Sequence, residues 1–151
     1  MSEMLGNQYF MARKYKEAVR ELELVYLADT LNKSVRRKLI IAYAETGKLK
    51  KSLEIFVSLV KEDVEYIINA DPIFDDCPCP EIVNKLETSP KENISPESNL
   101  YFGILWLYCD SKISLKFLKN ALKNYPADEG LKDSIKIIKK FIQQHQSLKQ
   151  E

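Results

Sequence analysis

The sequence repeats itself at an interval of 34 residues. When residues 5–22 are placed above residues 39–56, the apolar and small side chains coincide: Leu5 with Leu39, Tyr9 with Tyr43, Tyr15 with Leu49, Ala18 with Ser52, and Leu22 with Phe56. A fixed internal period of this length is typical of arrays in which one supersecondary unit stacks on the next. The period therefore constrains the fold more than any single motif does.

Each copy is predicted to form two short amphipathic helices joined by a tight turn, because its apolar residues recur at intervals of three and four. The small residue of the second helix, Ala18 or Ser52, would let the two helices approach closely. Arg13 coincides with Gly47, where "ETGKL" indicates the turn of the second copy. The chain has only four glycines, and strand-and-turn architectures usually need more, so composition also favours helices.

A looser third copy spans "FGILWLYCDSKISLKFLKNALKNYP", residues 102–126. Gly103 and Trp106 fit its first helix, and Ala121 and Pro126 fit the end of its second. Both ends match the other copies only if one residue is missing from its turn.

The pattern Leu-Gly-x-x-Tyr, with an aromatic residue six later and Ala three after that, resembles the tetratricopeptide repeat. The first copy matches through Leu5, Gly6, Tyr9, Tyr15 and Ala18, but it has Arg13 where the family usually has Gly. The second copy matches through Leu39, Tyr43, Gly47, Leu49 and Phe56, with Ser52 in place of Ala. The resemblance covers about residues 3–66 and 96–130. It implies an all-α, right-handed stack of antiparallel helix pairs.

We expect one helical domain over residues 1–149, and its parts follow from the repeats and the prolines. A helix over about 49–70 would end at Asp71-Pro72, because proline restricts the residue before it. Pro80 suits a first helical position, and "TSPKENISPES" reads as a polar loop. The predicted parts are repeats at about 3–36, 37–66 and 96–127, an irregular insert at 67–95, and a capping helix at 128–148.

The resemblance implies a partner-binding surface on the first helices, where such proteins hold a peptide or a partner's helix. The implied contact residues are Asn7, Phe10, Met11, Ser34, Arg37, Lys38, Ile41 and Glu45. One subfamily grips the carboxylate of chaperone tails with Lys, Asn and Arg. Only Asn7 matches that set here; the other positions hold Glu3, Lys38, Glu97 and Tyr101, which argues against this role. An exposed apolar edge also makes a homodimer a possible assembly.

The stretch "DPIFDDCPCPEIV" places Cys77 and Cys79 just before a predicted helix. We expect their thiols to pack against the core while Asp75 or Asp76 caps the helix, and we expect no bound metal. Two alternatives stay open: a soft metal held by Cys77, Cys79 and Cys109, or a reactive thiolate favoured by the helix dipole. A metal- or thiol-dependent sensor would follow from either. Against zinc, the one histidine, His145, lies far along the chain, and zinc prefers four ligands.

Other functional classes find little support in the sequence. There is no Gly-rich phosphate loop, HExxH or GxSxG, so we expect neither an enzyme nor a cofactor. Basic clusters at residues 33–38 and at Lys132, Lys136, Lys139 and Lys140 would permit weak nucleic-acid binding, but no reading motif accompanies them. No membrane-spanning run, signal peptide or even set of cysteines is present, so we expect a cytoplasmic protein, of bacterial type.

Overall fold

The computed structural model of the chain describes residues 2–71, 75, 77–88 and 95–149. The described residues contain helices and no β-strand, which confirms the predicted all-α class. Their helices are α1 (Ser2–Met11), α2 (Tyr15–Ala28), α3 (Lys33–Glu45), α4 (Leu49–Ile68), α5 (Cys79–Thr88), α6 (Pro96–Trp106), α7 (Ser111–Asn124) and α8 (Glu129–Lys149).

Polar side chains fix where α3, α6, α7 and α8 begin. Asn32, Ser95, Asp110 and Asp128 each accept a hydrogen bond from a backbone N–H two or three residues later. Such a bond satisfies a donor that the helix itself cannot satisfy, and it stabilises the helix by about 1 kcal/mol. Pro96 follows Ser95 in the first turn of α6, where its missing N–H costs nothing.

The predicted helix pairs α1/α2 and α6/α7 share a close contact at a glycine. A Cβ built on Gly6 would lie 2.6 Å from Leu22 Cδ2, and a Cβ built on Gly103 would lie 2.6 Å from Leu118 Cδ2. Real Cβ atoms do not come this close to another heavy atom. The absence of a side chain on these glycines therefore sets the distance between the paired helices.

In the pairs α3/α4 and α6/α7, a buried serine of the second helix hydrogen-bonds to a backbone carbonyl of the first. Ser52 Oγ on α4 donates to the carbonyl of Ile40 on α3 at 2.7 Å, across a separation of 12 residues. Ser114 Oγ on α7 donates to the carbonyl of Gly103 on α6 at 2.6 Å, across 11 residues. The third pair thus makes the same bond with one residue fewer between donor and acceptor, as the predicted deletion of one residue requires. The deletion does not lie in the turn, however: residues 107–110 join α6 to α7, whereas the shorter segment 46–48 joins α3 to α4, so the missing residue shortens the end of the first helix.

The turns after α1 and α3 have the same backbone structure, 34 residues apart. Arg13 and Gly47 both adopt positive φ, 60° and 79°. In each turn the next residue's N–H donates to a carbonyl five residues back, Tyr9 or Tyr43, at 2.8 Å. This is the glycine-type helix end, and Arg13 adopts it without the conformational freedom of glycine.

The chain divides into two compact units, residues 1–59 (unit 1) and residues 60–151 (unit 2). In unit 1, α2 packs against α1 and α3 over a core that includes Leu22, Leu39 and Phe56. In unit 2, α7 packs against α6 and α8, and the rings of Phe102 and Phe117 lie 5.3 Å apart. The prediction of one domain over residues 1–149 stays a prediction.

Several predicted boundaries shift by a few residues. Helix α3 begins at Lys33, inside the segment assigned to the first repeat, because Asn32 caps it. Helix α4 ends at Ile68, two residues early, and its helical backbone is interrupted at Asp63. Within the predicted insert, α5 begins at Cys79, one residue before the predicted Pro80. Helix α8 occupies the place of the predicted capping helix.

Pro72, the predicted stop of α4, lies outside the described residues, and so does most of the predicted polar loop, residues 89–94. Within the part of the chain that the structure describes, no helix combines the length and apolarity that a bilayer crossing requires.

Candidate functional site

The predicted partner-binding residues divide into buried and accessible groups. Phe10 and Ile41 are only 1% and 2% exposed, so their side chains belong to the core of unit 1 and offer no contact surface. Arg37 is also buried, at 8% exposure. The resemblance places these three residues on a partner-binding face. In the structure they are buried, because α1 and α3 pack against neighbouring helices.

The remaining predicted residues stay at least partly accessible. Lys38 Nζ donates to Asn7 Oδ1 at 2.9 Å, which brings α1 and α3 side by side. Met11 is 56% exposed, while Ser34 and Glu45 are half-buried. The structure therefore brings Asn7 and Lys38 together. Of the three predicted apolar contact residues, Met11 is the exposed one.

Exposed apolar side chains concentrate in the first part of unit 1. Among the described residues, the large hydrophobic side chains with high exposure are Met4, Leu5, Met11, Leu24, Leu27, Leu31 and Tyr125, and all but Tyr125 lie in residues 4–31. Leu27 and Leu31 are more than two thirds exposed, at 70% and 72%. Single exposed apolar residues are ordinary, whereas exposed apolar residues that adjoin in space mark an interaction surface. Of these residues, Leu24 and Leu27 line one groove.

An open groove of about 600 Å³ runs beside Leu24 and Leu27 on α2 (the α2 groove). It is lined by Lys16, Glu17, Val19, Arg20, Glu23, Leu24, Leu27 and Lys48. A smaller groove of about 260 Å³ shares Glu23 and Leu27 with it and extends to Ile55 and Ser58 on α4. The eight predicted partner-binding residues line neither of them, so the sequence prediction missed this surface. The signal for it was the spacing of Leu24, Leu27 and Leu31, three and four residues apart among charged neighbours.

Charged side chains and a tyrosine meet around the smaller groove. Lys51 Nζ lies 3.6 Å from Glu23 Oε1 and 5.8 Å from the centre of the Tyr43 ring. Burial, and then the negative charge of Glu23, raise the pKa of Tyr43 well above its usual range. The Tyr43 phenol therefore stays neutral. The α2 groove, which shares Glu23 with the smaller groove, is lined by side chains of both charge signs.

The three cysteines of the chain converge in unit 2. Cys77 and Cys79, at the start of α5, meet Cys109 in the turn between α6 and α7, and the three Sγ atoms lie within 4.8 Å of one another. The Sγ atoms of Cys77 and Cys79 are 2.8 Å apart, and Cys79 Sγ, when protonated, donates to the carbonyl of Tyr108 at 3.2 Å. All three are free thiols. We call this set the cysteine cluster.

Contacts inside the cysteine cluster spread the three thiol pKa values apart. Hydrogen bonding to Cys109, and then to Cys77, lowers the pKa of Cys79 to about 4. The Cys109 hydrogen bond also lowers the pKa of Cys77, but the bond to Cys79 and burial outweigh it and raise that pKa to about 12. The pKa of Cys109 lies far above its usual range because Cys77 and then Cys79 hydrogen-bond to it. Cys79 is therefore the first of the three thiols to lose its proton.

The cluster changes the predicted interpretation of the "CPC" stretch. Cys77 is buried, as expected of a core thiol, but it packs against two other thiols. Asp75 accepts a hydrogen bond from Asp71 N, and Asp76 lies outside the described residues, so the cap by one of these aspartates stays a prediction. Three converging sulfurs can coordinate a soft cation, and two of them can form a disulfide.

The basic clusters differ in accessibility. In the 33–38 cluster, Arg36 is 4% exposed and donates to Ser58 Oγ at 3.0 Å, and Arg37 is buried as well. These guanidinium groups are buried in unit 1, so they are not accessible to a nucleic-acid phosphate. On α8, Lys136, Lys139 and Lys140 are exposed, whereas Lys132 pairs with Glu129 at 3.4 Å.

Comparison with known proteins identifies no relative. No protein-family model, curated protein or solved structure matches this chain. The proposals that follow therefore rest on the geometry described above.

Proposed function

We propose that this chain is a non-catalytic protein-interaction module of tetratricopeptide-like construction, in which unit 1 binds an amphipathic helix of a partner protein. The observation that carries the proposal is the exposure of Leu24 and Leu27, at 57% and 70%, along one open groove. A helix partner that covered them would remove apolar surface from water, at about 25 cal/mol per Å². The repeated glycine, serine and turn contacts of the helix pairs support the tetratricopeptide-like part of the proposal.

The α2 groove is the place where we expect the partner to dock. Leu24 and Leu27 are three residues apart on α2, so they share one face of the helix and lie along one side of the groove. Val19, 4% exposed, contributes to an apolar floor. A partner helix with apolar residues three and four apart would match this surface, as in other helix-in-groove interactions.

Charged side chains of both signs surround the apolar part of the groove. Lys16, Arg20 and Lys48 line it together with Glu17 and Glu23. A rim of this kind contributes little affinity, but it orients a partner that carries complementary charges. We therefore expect the partner helix to be amphipathic, with acidic and basic residues flanking its apolar face.

The compartment is part of the same proposal. The three cysteines are free thiols, and free thiols are typical of a reducing environment such as the cytoplasm. We propose that the module acts there.

Affinity capture from the native cell extract tests the proposal, followed by titration of the purified partner. The test variant is Leu24→Glu with Leu27→Glu; both positions are mostly exposed, so the substitutions should leave the fold intact. We expect the purified partner to bind this variant at least about tenfold more weakly, since tenfold corresponds to about 1.4 kcal/mol. Tyr125→Glu, at an exposed aromatic in unit 2, is the matched control and should bind as wild type does.

A third variant distinguishes the two surfaces of unit 1. Met11→Glu changes the face formed by α1 and α3, which the sequence analysis favoured, and leaves the α2 groove unchanged. Loss of binding with Met11→Glu alone would move the docking surface to that face. Unchanged binding in all variants would contradict the proposal. Light scattering on the same proteins reports self-association, and a dimer that dissociates in the Leu24→Glu, Leu27→Glu variant would identify a second copy as the partner.

A further inference from the structure

We propose that Cys77, Cys79 and Cys109 form a three-thiolate site for a thiophilic d¹⁰ metal ion, with Zn²⁺ as the expected ion. The proposal rests on geometry: the sulfurs come from two segments 30 residues apart in sequence and nevertheless lie within 4.8 Å of one another. It is independent of the proposed partner binding, because the cluster lies in unit 2 and the α2 groove lies in unit 1.

The distances between the sulfurs suit coordination after a small rotation. A metal–sulfur bond of about 2.3 Å places the sulfurs of a tetrahedral or trigonal site roughly 3.8–4.0 Å apart. The limit of 4.8 Å on all three pairs is compatible with that spacing. The Cys77 and Cys79 sulfurs, at 2.8 Å, would separate by about 1 Å, which a change in one side-chain torsion angle supplies.

The surroundings of the cluster favour thiolates bound to a cation. Cys77 and Cys79 lie at the N-terminal end of α5, where the helix dipole stabilises negative charge. Cys77 is 2% exposed and Tyr108, beside Cys109, is 3% exposed. Three thiolates in such a site need a cation to offset their charge, and soft thiolate ligands select Zn²⁺ and Cu⁺ over harder ions.

The local charge favours a divalent ion over a monovalent one. Glu81, in the first turn of α5, acts electrostatically on Cys79. With this carboxylate beside the sulfurs, three thiolates and Cu⁺ would leave more negative charge than three thiolates and Zn²⁺. Among the described residues the cluster contains three candidate ligands, so the fourth position of a tetrahedral zinc would be open to water or an external ligand.

Metal binding would connect two segments that otherwise make few contacts. Helix α5 packs on α6, and the cluster joins the start of α5 to the turn after α6. An ion held there would anchor α5 to the third helix pair, since a ligand that binds only the folded form stabilises it. Trp106 is the single tryptophan of the chain, and its backbone carbonyl accepts a hydrogen bond from the Cys109 N–H at 2.9 Å, so its fluorescence offers a local reporter.

The test begins with the full chain, reduced and freed of metal by chelation. Native mass spectrometry after addition of Zn²⁺ should show one ion per chain, and a thiol reagent should then find the three cysteines protected. Co²⁺ serves as a spectroscopic probe, because a thiolate-to-metal charge-transfer band appears only when cysteine sulfurs coordinate it. Cu⁺ in a parallel arm identifies the ion that the site prefers, by competition against Zn²⁺.

Variants assign the binding to the cluster. Cys77→Ser, Cys79→Ser and Cys109→Ser should each weaken Zn²⁺ binding at least about a hundredfold, since each removes a ligand. Ser111→Ala, two residues beyond Cys109, is the matched control and should bind as wild type does. If a serine variant were to unfold, the protection of thiols by Zn²⁺ in the wild-type chain would still decide the question.

The proposal would be overturned by thiols that stay equally reactive with and without Zn²⁺ or Cu⁺. It would also be overturned by binding that survives all three serine substitutions, because the ion would then lie elsewhere. Thiol protection and one bound ion per chain would support it, whichever of the two ions binds more tightly. None of these results depends on the Leu24 and Leu27 variants, so the two proposals can fail separately.

Discussion

The substitution Gly103→Ala should destabilise unit 2, although alanine is the better helix former. In an exposed helix, Gly→Ala gains about 1 kcal/mol. Here the new Cβ would lie 2.6 Å and 2.9 Å from the Leu118 side chain and 3.2 Å from the Leu118 backbone nitrogen. Leu118 is fully buried, and one of the three contacts is with its backbone. We therefore expect helices α6 and α7 to separate.

The size of the effect follows from these two opposing contributions. Overpacking a filled core costs about 1–3 kcal/mol, and contact with a backbone atom places Gly103→Ala near the upper end. After the gain in helix propensity, we expect a net loss of about 2 kcal/mol. For a chain of this size the loss lowers the thermal midpoint by roughly 4–8 °C. Urea unfolding followed by Trp106 fluorescence measures it close to the substitution.

A double-mutant cycle identifies the contact as the cause. In a Leu118→Ala background the added Cβ has room, so Gly103→Ala should there be neutral or stabilising by about 1 kcal/mol. The coupling between the two sites would then be about 2–3 kcal/mol. Gly6→Ala, at the equivalent contact with Leu22, should change stability in the same direction. The reasoning is refuted if Gly103→Ala stabilises the wild type, or costs the same in both backgrounds.

Further predictions concern the turns, the buried serine and the thiols. Gly47→Ala should cost about 1 kcal/mol in urea unfolding because its φ is 79° and no atom lies within 4 Å of the new Cβ, so a clash-sized loss would contradict a purely conformational cost. Arg13→Gly, at φ 60°, should stabilise by up to about 1 kcal/mol, and a loss of stability would mean that the arginine's contacts outweigh its strained backbone. Ser114→Ala should cost about 1 kcal/mol through loss of its 2.6 Å hydrogen bond to the Gly103 carbonyl; no change would show that bond to be energetically silent. Contacts in the cluster lower the pKa of Cys79 to about 4, so we expect its thiolate form above about pH 5 in reduced, metal-free protein. Its alkylation rate should stay level between about pH 5 and 8, whereas a tenfold rise per pH unit would indicate an ordinary thiol.

The helix pairs could be predicted because their cause is local. The positions of Leu22, Gly6 and Ala18 follow from the 34-residue period, and the caps and turns depend on a few neighbouring residues. The missing residue of the third pair was visible as a shift between Gly103 and the residues after it, although the structure shortens the end of α6 and not the turn that follows. Such features need no knowledge of how distant segments meet.

Side-chain burial and the accessible surface could not be read from the same pattern. Helix periodicity shows that Phe10 and Ile41 share a face with more polar residues, but whether a neighbouring helix covers that face depends on tertiary packing. Arg36 and Arg37 read as a solvent-exposed basic cluster, yet the structure buries both. The α2 groove depends on how α2 lies against the turn before α4, which the sequence does not specify.

The cysteine cluster lies between these cases. The sequence suggested Cys77, Cys79 and Cys109 as one possible set because they are the three cysteines of the chain. The sequence alone could not predict that Cys109 lies beside the other two cysteines, because that proximity depends on the path of the 30 residues between Cys79 and Cys109. The proximity of the sulfurs is therefore a result of the structure.

Hydrogen–deuterium exchange of the chain with and without its purified partner tests the central proposal most directly. We predict that partner binding slows exchange in peptides covering α2, residues 15–28, and around Lys48, because the α2 groove would be covered. Peptides covering α7 and α8 should exchange as they do in the free chain. Protection confined to unit 2, or to α1 and α3 without α2, would contradict the proposed docking surface.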